Sequence, residues 1–197
     1  MSKLVLSRRT FLGSGLEADL AALRPDTESK PIVVTHPTED LATLDAQSDS
    51  FTFDSFTTAD AYELGHFLHA RLSPDPRPAL IKITLANGLT IFQAITGSGV
   101  QPDNEVWAER KRRTVLRWGC STWRMHCKFS GDEALFASKF GMGPDQAGQY
   151  AIHGGGVPIY VRDVEGPVAV VVVSGLKQHE DHGVIVSVVH ENWEVLD

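Results

Sequence analysis

Two apolar runs separated by Asn87-Gly88 constrain this chain more than any other stretch. Ala79 to Ala86 and Leu89 to Ile95 are each of strand length, and Asn-Gly suits a two-residue turn whose twist matches paired strands. Ile81, Ile83 and Leu85 alternate with Lys82 and Thr84, so the first strand has one face to bury. A hairpin needs more strands or a covering layer to be stable. Ser121 to Phe129, Val157 to Val161 and Val168 to Ser174 are the further strands expected in the domain, with Asp163 to Gly166 turning between the last two. Strands joined by tight turns are antiparallel, and helices must cover at least one face, so the class is α+β.

The helices come from apolar spacing and caps. Thr57, with Asp60 three residues on, predicts a helix start, and Ala61, Leu64, Gly65, Leu68 and Leu72 mark its buried face before Pro74. The stretch from Asn104 to Thr122 is the second expected helix, with Asn104 as N-cap and Gly119 as its stop. Trp107, Lys111, Thr114, Val115 and Trp118 fall on one stripe that mixes bulk with a cation and a hydroxyl. Shorter helices are expected over Glu133 to Phe140 and from Pro144 to about Ile152, and a closing helix over His179 to Trp193 with Ile185, Val188, Val189 and Trp193 inward. Residues 1–50 read as an N-terminal extension to a domain spanning 51–197. The extension holds a short helix around Leu16, Leu20 and Leu23, a strand over Pro31 to Thr35, and loops over Asp26 to Lys30 and Asp45 to Ser50.

Charge narrows the functional classes. The 197-residue chain carries a formal net charge of −7, which argues against nucleic acid as a partner, since that binding runs on phosphate neutralisation. Between Glu105 and Arg117 the balance reverses, with five basic side chains (Arg110, Lys111, Arg112, Arg113, Arg117) against two acidic ones (Glu105, Glu109). A small anion held at one basic spot fits that pattern. The most apolar run, Val168 to Val173, is strand-sized, so no membrane span is expected. Ser7-Arg8-Arg9-Thr10-Phe11-Leu12 looks like a twin-arginine export signal, but Glu17, Asp19, Arg24, Asp26 and Glu28 interrupt the apolar segment that export needs. A basic N-terminal turn and a cytoplasmic location are the expectation. The two cysteines, Cys120 and Cys127, are too few for a disulfide framework and match no zinc spacing.

No catalytic residue can be named. Ser121 and Ser174 lack the strained turn of a hydrolase nucleophile. His66 and His69 are three apart but have no acid or thiol at matching spacing, so they read as a solvent-facing pair and no metal site is expected. The candidate ligand-binding residues are Asn104, Arg110, Lys111 and Thr114 on the basic helix, His153, Gly154 and Gly155 at a glycine run, and Ser174, Asp181 and His182 near the last helix. Arg offers an anion a planar fork and Lys a point charge. The glycines after His153 let a backbone approach a ligand closely. His153 also reads as a structural cap on the preceding helix, and Asp181 as a first-turn charge.

The ordered blocks Pro102-Asp103-Asn104, Trp107, Arg110-Lys111-Arg112, Thr114-Val115, Tyr150 to Gly155, Pro158-Ile159, Val172 to Leu176 and Asp181-His182 closely resemble the UPF0303 family. Fungal members of that family are described by the domain of unknown function DUF967. It lies within the haem-degrading-domain group, with haem-binding sensor-associated proteins, GlcG-like proteins and the C-terminal domain of PduO. The resemblance spans about residues 51 to 193. It implies a central antiparallel sheet of about five strands flanked by helices, and self-association into a homo-oligomer. It makes haem the candidate cofactor, with His153 the best iron ligand by chemistry and Arg110 and Lys111 placed to pair with propionates. The function expected is binding of a small anionic or tetrapyrrole-like ligand. An oligomeric adaptor or chaperone-like accessory protein is the first alternative, and an enzyme acting on haem or a related redox compound the second.

Overall fold

The computed structural model describes residues 4–47 and 51–196. In chain order its elements are β1 (Val5–Arg8), α1 (Ser14–Ala22), α2 (Leu41–Gln47), β2 (Phe51–Phe53), α3 (Thr58–Leu72), β3 (Leu80–Leu85), β4 (Thr90–Ile95), α4 (Pro102–Trp118), α5 (Thr122–Lys128), α6 (Glu133–Lys139), α7 (Pro144–Ala147), β5 (Gly156–Val161), β6 (Ala169–Ser174), α8 (Gln178–Asn192) and β7 (Trp193–Val195). Among the described residues, all seven strands join one sheet in the order β4-β3-β6-β5-β2-β1-β7.

The class is α+β, but the sheet differs from the expected antiparallel one of about five strands. β4, β3, β6 and β5 are antiparallel neighbours, whereas β2 lies parallel to β5 and β1 parallel to β2. β7 closes the far edge antiparallel to β1. The added strands are three or four residues long, too short to display an alternation in sequence. The hairpin between β3 and β4 also has a longer loop than a two-residue turn. Gly88 N–H donates to Leu85 O and Leu85 N–H to Leu89 O, both at 2.9 Å, with Gly88 in the left-handed region at φ 96°.

One sheet face buries Ile81, Ile83, Val157, Ile159, Val171 and Val173 against Leu64, Leu68 and Leu72 of α3 and Val184, Ile185, Val188 and Val189 of α8. Each such fully buried Leu contributes roughly 2 kcal/mol through the apolar surface it removes from water. The other face packs Leu80, Val170 and Val172 on Ala108 and Val115 of α4. A smaller cluster of Met125, Phe129, Phe136, Met142 and Ile152 lies under α5 and α6.

Several local expectations need correction. Residues 122–128 are helical rather than extended, because Ser121 caps them by accepting from Arg124 N–H at 2.9 Å while Thr122, Trp123 and Met125 turn inward. Asn104 is not the N-cap of α4: the helix starts at Pro102, and the Asn104 side chain reaches back to accept from Gln101 N–H at 2.9 Å. The helix from Pro144 ends at Ala147, ahead of Gly148. Arg8 closes a strand rather than lying in a turn, and it pairs with Asp60 at 3.4 Å. Of the loop expected over 45–50, residues 45–47 finish α2 and 48–50 lie outside the described residues.

The N-terminal segment packs on its own chain. α1 lies against α3, and its Asp19 is held by His66 Nδ1 at 2.8 Å and His69 Nδ1 at 2.6 Å, so those histidines face a buried carboxylate instead of solvent. Residues 31–38 form no strand. They run as an irregular strap over α8, fixed by Ile32 N–H to Asp75 Oδ2 (2.8 Å) and Trp123 Nε1–H to Thr38 O (2.9 Å). Gly183 makes room for the strap, since a Cβ there would fall 2.3 Å from Val34 Cγ1.

Candidate functional site

α4 crosses the end of β6 beside the first turn of α8, and the three enclose a pocket. Asn104, Trp107 and Lys111 lie at helical spacing on α4 and line one wall. Ser174, Gly175 and Leu176 form the floor, Gln178 and Asp181 the α8 side, and His153 the rim. The volume is about 290 Å³, at the lower end of the range for ligand sites.

A buried ion pair sits at the base. Lys111 Nζ donates to Asp181 Oδ2 at 3.1 Å and to Val173 O at 2.9 Å, and both side chains are nearly sealed from solvent. Asp181 Oδ1 accepts from Leu176 N–H at 3.0 Å. Burial pushes the Asp181 carboxyl above its usual range, and the neighbouring Lys111 charge opposes that push. Lys111 therefore spends its charge inside the protein, which leaves it poorly placed to pair with a propionate.

His153 stands on a loop tied down at almost every residue. Arg110 Nε and Nη2 donate to Tyr150 O at 3.1 and 2.8 Å, and Ala151 N–H donates to Thr114 Oγ1 at 3.1 Å. Gly154 N–H donates to Gln178 Oε1 (3.3 Å), Val173 N–H to Gly155 O (2.9 Å) and Gly156 N–H to Thr122 Oγ1 (3.0 Å). Gly155 has φ 109°, and a Cβ there would fall 2.4 Å from Val173 O and 2.7 Å from Asp181 Cβ. The glycine run thus lets the loop press on β6 and α8.

The imidazole meets the Trp107 ring in a T-shaped contact, with centroids 5.0 Å apart and the planes at 73°, and its Nδ1 is 3.4 Å from Glu133 Oε1. The two lie close without an aligned hydrogen bond, as Nδ1 is buried without a hydrogen-bond partner.

Of the ten residues expected from sequence, Asn104, Lys111, His153, Ser174 and Asp181 line this pocket. Arg110, Thr114, Gly154 and Gly155 lie behind it and hold the His153 loop. His182 points to the other side of α8, buried against the Trp123 ring at 5.9 Å and bordering the strap. Burial and the Lys111 charge lower its pKa to about 3, so it stays neutral. Sequence reading missed Gln178 and Glu133, and weighed Trp107 as core or interface. Gln178 stands three residues before Asp181 on one helix face, and that spacing was the available signal.

The geometry does not fit an enclosed tetrapyrrole in the single chain. The His153 pocket is small at about 290 Å³, and a cavity of about 420 Å³ under the strap, which borders His36 and His182, is also smaller than a cleft of about 590 Å³ between α1, α3, α8 and the strap. That larger cleft is lined by no histidine, cysteine, methionine or tyrosine. Among the described residues no group of three or more His, Cys, Asp or Glu side chains is arranged to hold a metal ion. No described helix is long and apolar enough to cross a membrane.

Comparison with known proteins places this chain in a family. Residues 56–190 match the family model described as haem degrading protein HbpS-like. The chain is similar to UPF0303 protein YBR137W of Saccharomyces cerevisiae, with 38% identity over 68% of this chain and 73% of that one. It is also similar to a UPF0303 protein of Streptomyces avermitilis, with 36% identity over 75% of this chain and 87% of that one. The crystal structure of the Ybr137w protein superposes with a TM-score of 0.63 at 35% identity, covering 70% of this chain and 79% of that one. A double mutant of Streptomyces reticuli HbpS superposes at 0.53 with 19% identity, covering 82% and 97%, which shows a shared fold. The chain is a UPF0303 protein and belongs to the HbpS-like family.

Proposed function

We propose that this protein binds a small polar ligand with an anionic group in the pocket between α4, the His153 loop and the start of α8. The observation that carries the reading is the Lys111–Asp181 pair at the pocket base. A buried ion pair is often less stable than apolar residues of the same volume, so its place beside a cavity favours a functional role. The amino end of α8 adds a field that favours an anion, and His153 supplies a donor at the rim. The small volume favours a compact ligand over haem, while the relatives' description keeps haem as the competing ligand at an open face of the same site.

Two titrations of wild type and His153→Ala test this. Calorimetry with acetate, malonate and inorganic phosphate should give saturable one-site binding that is at least tenfold weaker in the variant. Haemin followed by visible absorbance should give no saturable shift. A stoichiometric Soret shift lost in His153→Ala would replace the reading with haem ligation. Absence of saturable binding to every probe would remove the ligand-binding reading.

Self-association has its own support. Phe11, Leu12, Leu20 and Leu23 are each more than half exposed around α1, an apolar surface of the kind that subunit contacts cover. Sedimentation velocity with Leu20→Asp beside wild type checks it, the expectation being an oligomer that the variant dissociates.

A further inference from the structure

The cleft of about 590 Å³ has a different chemistry from the His153 pocket and lies on another part of the molecule. Ala18 and Ala22 of α1, Lys30 just ahead of the strap, Phe67 and Ala70 of α3 and Val188 of α8 line it. Most of these side chains are apolar, and their small size opens the space: Ala18, Ala22 and Ala70 put only methyl groups where three helices and a strap converge. The volume lies well inside the range for small-molecule sites, whose walls are mainly apolar with a few polar groups fixing orientation.

Its charges sit at the rim and are unequal. Arg71 pairs with Glu191, which neutralises both. Lys30 has no ion-pair partner among the described residues; its backbone N–H is fixed at 2.8 Å to Pro74 O, so the side chain starts from a held position. The lining thus carries two cations and one anion. A neutral apolar guest would leave that surplus unused, and a dianion would exceed it.

We propose that this cleft is a second binding site, for an amphiphilic monocarboxylate whose alkyl or aryl tail packs on Phe67, Ala70, Ile32 and Val188 and whose carboxylate pairs with Lys30. Sodium decanoate is the probe, with decanol as its uncharged counterpart, both titrated calorimetrically into the full chain. Decanoate should bind saturably at one equivalent per chain and at least fivefold tighter than decanol. Lys30→Glu should remove that preference while leaving decanol binding unchanged. Ala70→Phe fills the cleft and should weaken both ligands at least tenfold. Lys30→Glu alters an exposed side chain, so the test survives if Ala70→Phe does not fold. His153→Ala should leave decanoate binding intact, which keeps this proposal separate from the first. The proposal is overturned if decanoate does not saturate, if Lys30→Glu leaves the preference in place, or if decanoate binding is lost in His153→Ala. It is also overturned if sedimentation shows that a second copy of the chain covers the cleft and excludes decanoate.

Discussion

Replacing Lys111 by Met tests the ion pair at the base of the pocket. The change keeps most of the side-chain volume but leaves the Asp181 carboxylate buried without its cation, still accepting from Leu176 N–H. Breaking a buried pair on one side typically costs ~3–5 kcal/mol, because the remaining charge has lost its water and its partner. In a chain of this length that corresponds to a fall in Tm of roughly 6–20 °C. The penalty should depend on pH with a definite sign. The folded-state pKa of Asp181 is raised, so the stability linked to its proton is fully present below the unfolded value near 3.8 and is lost as pH rises through the folded value. Without Lys111 that folded value climbs further, so the difference between variant and wild type should shrink as pH is lowered from 8 to about 5. Urea unfolding followed by far-ultraviolet circular dichroism at several pH values measures this. The double change Lys111→Met with Asp181→Asn should recover most of the loss. A cost below ~1 kcal/mol for Lys111→Met at pH 7, or a double variant no more stable than the single one, would refute the reasoning.

Two other substitutions probe the surroundings. His182 is neutral in the fold with a pKa near 3, so the unfolded chain takes up a proton below pH 6.5 that the folded chain refuses. Stability should fall by up to ~1.4 kcal/mol per pH unit between 6.5 and 3 from this group alone, and His182→Gln should reduce the slope of stability against pH over that window by about one proton. Gly155→Ala would place a methyl against Val173 O and Asp181 Cβ at a positive φ, and should cost ~2 kcal/mol or more by denaturant unfolding, with ligand binding at the His153 pocket weakened in the same variant.

What could be read from the sequence follows from how local each signal is. The capping box of Thr57 and Asp60 and the buried stripe from Ala61 to Leu72 are decided within one helix, and α3 has both. The inward set Ile185, Val188 and Val189 is likewise a local pattern, and all three are buried in α8, whereas Trp193, expected to end that helix, is buried at the start of β7. Residues 121–129 mix aromatic, sulfur and β-branched side chains in a way that suits a strand, and the Ser121 cap together with burial of Trp123 against His126 and His182 and of Met125 among Phe129 and Phe136 makes the segment helical. β1 is beyond any local reading, because its partners Thr52, Phe53 and Trp193 to Val195 are distant in sequence. The pairing of Asp19 with His66 and His69 is missed for the same reason, since no spacing rule connects residues nearly fifty positions apart.

The basic stripe of α4 explains why candidate site residues could be picked from sequence but not divided into roles. Arg110, Lys111 and Thr114 look alike there, as polar groups on one helical face, yet each meets a different demand. Arg110 holds the Tyr150 carbonyl, and Thr114 accepts from Ala151 N–H, so both fix the loop that carries His153. Lys111 neutralises a carboxylate that reaches it from α8. Under the proposed binding at His153, the first two would reduce the entropy lost on ligand binding, because the loop is already ordered. The third sets the charge of the pocket. Removing Arg110 or Thr114 should therefore weaken binding through a looser loop, with faster amide exchange at residues 150–156, whereas removing Lys111 should change which charge the pocket accepts. A helix that serves as scaffold on one turn and as electrostatic wall on the next is what its mixed stripe encodes.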